Sequence, residues 1–144
     1  MEKILLAEDR AIAVKAMQIL IETEFKQYEL SIAGNTDRLE EKLMDQPYRL
    51  AIINPRVMAN NYTQSLLKIK NLYPALDIIV LSPQSNKMFV HYLHQNGFKG
   101  HLPEDSPDSE IVLALNKVLE GSSYFSDDPI SNFLFKKYDQ PAMQ

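Results

Sequence analysis

The stretch LAIINP, residues 50–55, decides the fold of this chain. Its first four residues are apolar, and the run is too short for a helix and contains two β-branched isoleucines, which predicts a buried strand. A strand that is apolar without interruption must be covered on both faces, as in parallel sheets flanked by helices. Ligands of such sheets bind at the carboxyl ends of the strands, so Asn54 is predicted to lie at a functional site.

Apolar runs and helical patterns alternate along the rest of the chain. The first helix is dense in apolar residues and is expected to be well buried, with Ala13, Met17 and Leu20 on one side. Strands are predicted at residues 3–7, 28–33, 50–53, 77–82 and 98–102, and helices at 11–21, around Leu39 and Leu43, at 60–73, at 86–96, and from 106 to a stop at Gly121. Five strand-helix repeats with right-handed crossovers predict an α/β fold, a doubly wound five-stranded parallel sheet flanked by five helices.

Length and composition limit the classes of protein. With 144 residues, of which 45% are hydrophobic, the chain is sized for one domain plus a tail. The net charge of −4 gives no electrostatic footprint for nucleic acid, and the absence of cysteine excludes disulfides and thiolate metal sites. The amino-terminal apolar run is too short for a signal sequence or a membrane span, so a cytoplasmic protein without membrane contact is expected.

Polar residues follow three of the predicted strands. Glu8 and Asp9 come directly after the first strand, Asn54 after the third, and Ser82 closes the fourth. The carboxyl ends of parallel strands meet at one edge of the sheet, and both acids can lean toward one pocket at the turn. These side chains are therefore expected to converge on one crevice.

Between residue 3 and about residue 120, the chain resembles the CheY-like receiver domains of bacterial two-component response regulators, which share a flavodoxin-like sheet. Its segment SSYFSDDPISNFLF resembles the region that joins a NarL-like receiver to its DNA-binding domain. The resemblance implies strand order 2-1-3-4-5, with a receiver domain at residues 1–122 and a C-terminal linker or tail at 123–144. The DNA-binding output domain is expected to be absent, which leaves a fragment of a longer regulator and a free-standing module both open.

Several residues match what the family places in its phosphorylation pocket. Glu8 and Asp9 correspond to the acidic pair that closes the first strand, and Ser82 corresponds to the hydroxyl residue that closes the fourth. His101 falls where the family usually has a switch aromatic residue. The resemblance therefore implies that the carboxyl edge of the sheet is the site, with His101 at the switch position.

Two residues depart from the family pattern. Asn54 falls on the phosphoacceptor aspartate, and Glu104 falls where a lysine follows the fifth strand. An amide cannot form an acyl phosphate, and a glutamate adds negative charge where a phosphoryl group would have to sit. The resemblance with these departures predicts a degenerate pocket, a pseudo-receiver that is not phosphorylated and is not an enzyme.

Metal binding is also weakened by these changes. Glu8 and Asp9 remain weak candidates for Mg²⁺, but Asn54 offers one neutral carbonyl in place of a carboxylate, so no cofactor or metal is expected. Arg10 and Arg56 lie beside the ends of the first and third strands. The sequence leaves open whether they pair with the carboxylates or are ordinary solvated arginines.

The fourth helix is a candidate interface. Phe89 and Tyr92 are either part of a broad apolar stripe that faces the sheet or are offered to a partner, and tail residues Phe133 and Phe135 are a second candidate. The expected partners are a second copy of the chain or another signalling protein, with DNA reached only through an output domain.

Three functions remain possible at this point. The preferred one is a non-phosphorylatable signalling domain that controls a transcriptional output domain through dimerisation or protein contact. The alternatives are a conventional phosphorylation-activated receiver and a flavodoxin-like nucleotide or flavin binder. The last would need phosphate-binding Ser, Thr or Gly residues in the loop after the first strand, where Glu8, Asp9 and Arg10 stand.

Overall fold

A computed structural model describes residues 1–59, 61–83 and 86–125. None of the helices in these ranges is long and apolar enough to cross a membrane. A single 3-10 turn, Pro55–Val57, follows the third strand. The elements in chain order are β1 (Glu2–Ala7), α1 (Ala11–Glu24), β2 (Tyr28–Ala33), α2 (Thr36–Asp45), β3 (Leu50–Ile53), α3 (Tyr62–Leu72), β4 (Asp77–Ser82), α4 (Lys87–Gln95), β5 (Gly100–Pro103), α5 (Asp108–Leu119) and β6 (Tyr124–Phe125).

The strands form one parallel sheet in the order β2-β1-β3-β4-β5-β6. The predicted class and the order 2-1-3-4-5 are confirmed, and β6 adds a sixth strand that the sequence did not predict. β5 covers residues 100–103 instead of 98–102, because the N–H of Phe98 donates to the Leu93 oxygen at the end of α4, at 3.1 Å. The chain beyond residue 125, including Phe133 and Phe135, lies outside the described residues.

Strand β3 is buried on both faces. All four of its residues are at most 1% exposed. Leu50 and Ile52 pack on the side covered by α1 and α5, while Ala51 and Ile53 pack on the side covered by α2, α3 and α4. The uninterrupted apolar run is therefore explained by helices on both faces of the sheet.

Helix α1 is longer and less covered than the sequence predicted. Met17 and Leu20 are buried as expected, and the helix extends to Glu24. Ile12 is 87% exposed and Ile19 is 55% exposed, so the expectation of a well-buried helix was wrong for the outer side. The sequence pattern did not predict these exposed residues, because α1 contains more apolar residues than one helix face can hold.

Gly100 allows β6 to approach β5. A Cβ atom built on Gly100 would lie 2.6 Å from the backbone oxygen of Tyr124. We expect Gly100→Ala to displace β6 and to cost about 1 to 3 kcal/mol, since backbone shifts of this kind cost that much. Hydrogen exchange at the Tyr124 amide, which donates to the Lys99 oxygen at 2.8 Å, should accelerate.

Gly34 provides the matched control for this substitution. A Cβ atom on Gly34 would meet no atom within 4 Å, so Gly34→Ala should leave exchange at Tyr124 unchanged. Unchanged exchange at Tyr124 in Gly100→Ala would show that the close approach does not hold β6 in place.

Candidate functional site

The polar residues at the strand ends meet at the carboxyl edge of the sheet. Glu8, Asn54 and Ser82 are buried, and Glu104 follows β5 at the same edge. Backbone hydrogen bonds fix this arrangement: the N–H of Asn54 donates to the Ala7 oxygen at 2.9 Å, and the N–H of Glu104 donates to the Ser82 oxygen at 2.8 Å. Residues that are far apart in sequence are therefore positioned by the sheet itself.

Asn54 lies at the centre of the site with its side chain fully bonded. Its Nδ2 donates to Oε1 of Glu8 at 3.0 Å and to Oε2 of Glu104 at 2.8 Å. Its Oδ1 accepts the backbone N–H of Arg56 at 3.0 Å, which caps the 3-10 turn. Only an amide can donate to two carboxylates and accept a backbone N–H at the same time.

Glu8 is buried against Arg10 and two backbone amides. Arg10 Nη2 lies 2.8 Å from Oε1 of Glu8, and the backbone N–H groups of Asp9 and Arg10 donate to Oε2 at 3.0 Å and 3.2 Å. Burial raises the pKa of the Glu8 carboxyl, but the hydrogen bonds from Arg10 and Asn54 outweigh it, and the pKa lies below its ordinary value. The carboxylate is therefore the stable form at neutral pH.

Glu104 is held by both arginines. Arg56 approaches it with two nitrogens, Nε at 3.1 Å and Nη2 at 3.0 Å, and Arg10 Nη2 lies 3.4 Å from Oε2. The hydrogen bond from Arg56 is the main cause that lowers the pKa of the Glu104 carboxyl. The question that the sequence left open is thus answered: Arg10 and Arg56 pair with the carboxylates.

The residues present do not suit Mg²⁺. Asp9 is exposed, against the expectation that both acids lean into one pocket, because its neighbour Glu8 takes the buried place. Asn54 turns its N–H groups and not its carbonyl toward Glu8 and Glu104. The two carboxylates are already matched by two guanidinium groups, and no group of three or more His, Asp or Glu side chains in the described ranges is placed to hold a metal ion.

Ser82 and His101 form a separate buried pair beside this cluster. The Ser82 hydroxyl and Nε2 of His101 are 2.6 Å apart, and His101 is fully buried. Its Nδ1 has no hydrogen-bond partner within the described part of the chain. Burial lowers the pKa of His101 to about 4, so the imidazole is neutral at physiological pH.

The fourth-helix residues face the core more than the surface. Phe89 and Tyr92 are partly buried and pack against the core, and the Phe89 ring meets Tyr62 edge-on at 5.6 Å and His101 at 6.4 Å. Met88 is 76% exposed. The most exposed large apolar side chain of α4 is thus Met88, and not Phe89 or Tyr92.

The sequence did not reveal how tightly the arginines close the site. Arg10 and Arg56 stand at the starts of α1 and the 3-10 turn. These positions indicate that both residues lie near strand ends, but they do not indicate which carboxylates the side chains contact. Their long side chains have many rotamers, so spacing alone could not assign them to Glu8 and Glu104.

The chain is similar to known response regulators. No family model matches it. The oxygen regulatory protein NreC of Staphylococcus haemolyticus (strain JCSC1435) is 20% identical over 123 residues, which cover 85% of this chain and 57% of NreC. The chain spans little more than half the length of that relative.

Solved structures agree with the same fold. A CheY-like response regulator receiver domain protein from Methanospirillum hungatei JF-1 superposes with a TM-score of 0.73 at 17% identity, covering 83% of this chain and 94% of that one. A structure of two RcsB dimers bound to two parallel DNAs superposes with a TM-score of 0.77 at 18% identity, covering 94% of this chain and 68% of that one. The chain therefore has the fold of a CheY-like receiver domain, and its sequence is similar to that of the oxygen regulatory protein NreC.

Proposed function

We propose that the chain is a receiver domain that takes no phosphoryl group and signals through protein contacts. The observation that carries the proposal is the buried Asn54 amide, which stands at the acceptor position and donates to Glu8 and Glu104. Phosphorylation needs a carboxylate nucleophile there, and an amide nitrogen already engaged by two carboxylates cannot serve.

A conventional phosphorylation switch is disfavoured by the charges around Asn54. The acceptor position has a carboxylate on each side, at 3.0 Å and 2.8 Å, and the position of the expected lysine is one of them, Glu104. A phosphoryl group on this side chain would have to sit against both carboxylates, and at such distances like charges repel strongly in a site with little water.

A nucleotide or flavin site is disfavoured by the loop after β1. Phosphate binding by such loops depends on free backbone N–H groups. Those of Asp9 and Arg10 both donate to the Glu8 carboxylate, which therefore occupies the place of a phosphate. A colourless purified protein is expected.

Assembly is the proposed route of signalling. The RcsB relative forms dimers on DNA, and we propose that this chain acts as a homodimer or with another signalling protein in the cytoplasm, without enzymatic activity and without touching the membrane. DNA would be reached through an output domain outside the chain. The proposed contact surface is α4 around Met88, with Phe89 and Tyr92 behind it.

Sedimentation tests this proposal directly. We expect a dimer that buries on the order of a thousand square ångströms and whose dissociation constant is unchanged by Mg²⁺ with beryllofluoride, because the analogue has no carboxylate to bind. Met88→Glu should weaken the dimer at least about tenfold. Met44, which is 81% exposed on α2, gives the control Met44→Glu. A strict monomer at high concentration would contradict the homodimer, and a dimer that tightens with beryllofluoride would contradict the proposal that the chain takes no phosphoryl group.

A further inference from the structure

The Glu104 carboxylate lies among donors from three other segments. Asn54 donates from the end of β3, Arg56 donates from the 3-10 turn, and Arg10 at the start of α1 forms an ion pair with it at 3.4 Å. Glu104 itself belongs to a fourth segment, after β5, and its side chain is only 10% exposed. The other three groups thus form a set of donors, and Glu104 supplies the anion that they surround.

This donor set is typical of an oxyanion site. A guanidinium that approaches with two nitrogens matches the two oxygens of a carboxylate or the oxygens of a phosphate. Arg56 approaches Glu104 in this way, and the buried Asn54 amide adds a third donor to the same carboxylate at 2.8 Å. A free carboxylate in the place of Glu104 would find the same hydrogen bonds.

We propose that Glu104 is a tethered ligand, filling an oxyanion-binding site formed by Arg10, Asn54 and Arg56, and that this site accepts a free carboxylate or phosphate once the Glu104 carboxylate is removed. The inference rests on the proposed function, because it takes Asn54 to carry no phosphoryl group. In the wild-type domain, the loops around this site are then held as they would be with a bound oxyanion, and no phosphoryl donor is needed.

The charges support a small monoanion in the opened site. Without Glu104, the site keeps the two guanidinium groups of Arg10 and Arg56 and one buried carboxylate, Glu8, which pairs with Arg10, while Asp9 is exposed to solvent, where its charge is screened. In the wild type the tether gives Glu104 an effective concentration that millimolar free anions cannot match. Added anions should therefore leave the wild type unaffected.

Thermal unfolding of Glu104→Ala in different salts tests the inference. In chloride the melting temperature should fall by about 5 °C relative to the wild type, as expected for a lost cluster of charged hydrogen bonds. Replacing chloride by formate, acetate or inorganic phosphate at constant ionic strength should raise it again by about 4 °C when the anion is at about ten times its dissociation constant. The comparison of carboxylate with phosphate identifies which oxyanion the site prefers.

Three variants serve as controls. The double variant Glu104→Ala with Arg56→Gln should lose the recovery, because the two-nitrogen donor is gone. Glu104→Gln still fills the space, so added anions should not raise its melting temperature. Glu41 forms an exposed pair with Arg38, so Glu41→Ala should respond to the salts like the wild type. An equal response of wild type and Glu104→Ala, or recovery that survives Arg56→Gln, would overturn the inference.

A second measurement covers the case in which Glu104→Ala does not fold. Glu104→Gln keeps the shape but loses the charge, and hydrogen exchange of residues 102–106 should become at least about tenfold faster than in the wild type, because the arginines no longer hold the segment. Unchanged exchange would overturn the inference. Failure in either experiment leaves the proposed function standing, since that depends on phosphoryl labelling and not on anion recovery.

Discussion

Asn54→Asp should destabilise the domain by about 3 kcal/mol at pH 7, which lowers the melting temperature by about 10 °C. The amide donates to Glu8 and Glu104, and an aspartate would replace both donors by an oxygen facing two carboxylates. The buried position gives the new charge no water to compensate it. Thermal unfolding at pH 7 measures the effect.

The pH dependence and two further variants make this expectation specific. The like charges raise the folded-state pKa of the introduced carboxyl group, so the deficit should be largest at pH 7 to 8 and should shrink as the pH falls. Adding Glu104→Gln returns a donor and should recover part of the loss. Asn35, an exposed helix cap that accepts from the Arg38 N–H, gives the control Asn35→Asp, with an effect near zero. If Asn35→Asp lost as much stability as Asn54→Asp, this explanation would be refuted.

Acidification from pH 7 to 4.5 should destabilise the wild type by about 2 to 3 kcal/mol through His101. The folded-state pKa of His101 is about 4, because the imidazole is buried, whereas in the unfolded chain it is near 6.5. Between these values the unfolded state binds the proton and the folded state does not, so the free energy of unfolding falls as the pH falls. The contribution of the neutral His101 is fully present only above pH 6.5. Denaturant unfolding at a series of pH values measures the slope.

His101→Phe isolates this contribution. It keeps a ring against Phe89 but removes the contact with Ser82 and the titrating group, so its stability should be lower at pH 7 and flatter between pH 4.5 and 6.5. The Glu8 and Glu104 carboxyls have pKa values below their ordinary 4.5, so their contributions are lost only at lower pH and do not enter the window. Equal slopes in wild type and variant would show that His101 is not the cause.

The fold was predictable because the buried strands left a clear sequence pattern. The run Leu50–Ile53 has no polar residue on either face, and this alone required helices on both sides of the sheet. β6 could not be predicted, because two residues, Tyr124 and Phe125, show no periodicity, and their pairing depends on the space left at Gly100. The local sequence pattern therefore predicted the first five strands but not the additional edge strand β6.

The meeting of Glu8, Asn54 and Glu104 at one edge of the sheet was predictable, but their bonding was not. Asn54 and Ser82 were selected because they stand at strand ends, and Glu104 because of the family resemblance. That Glu8 is buried while Asp9 is exposed depends on the turn after β1, and that Arg56 pairs with Glu104 depends on side-chain rotamers. Neither is encoded by spacing along the sequence.

Covalent phosphate per chain, measured by intact mass after incubation with acetyl phosphate and Mg²⁺, is the most direct test of the non-phosphorylatable receiver. The wild type should take up none, because Asn54 offers no carboxylate nucleophile. Asn54→Asp alone should label weakly, since Glu104 still faces the new acid, and the pair with Glu104→Lys should label more, because a cation then faces the phosphoryl oxygens. Equal labelling of Asn54→Asp with and without Glu104→Lys would show that Glu104 is not a second block, and labelling of the wild type would contradict the proposed function itself.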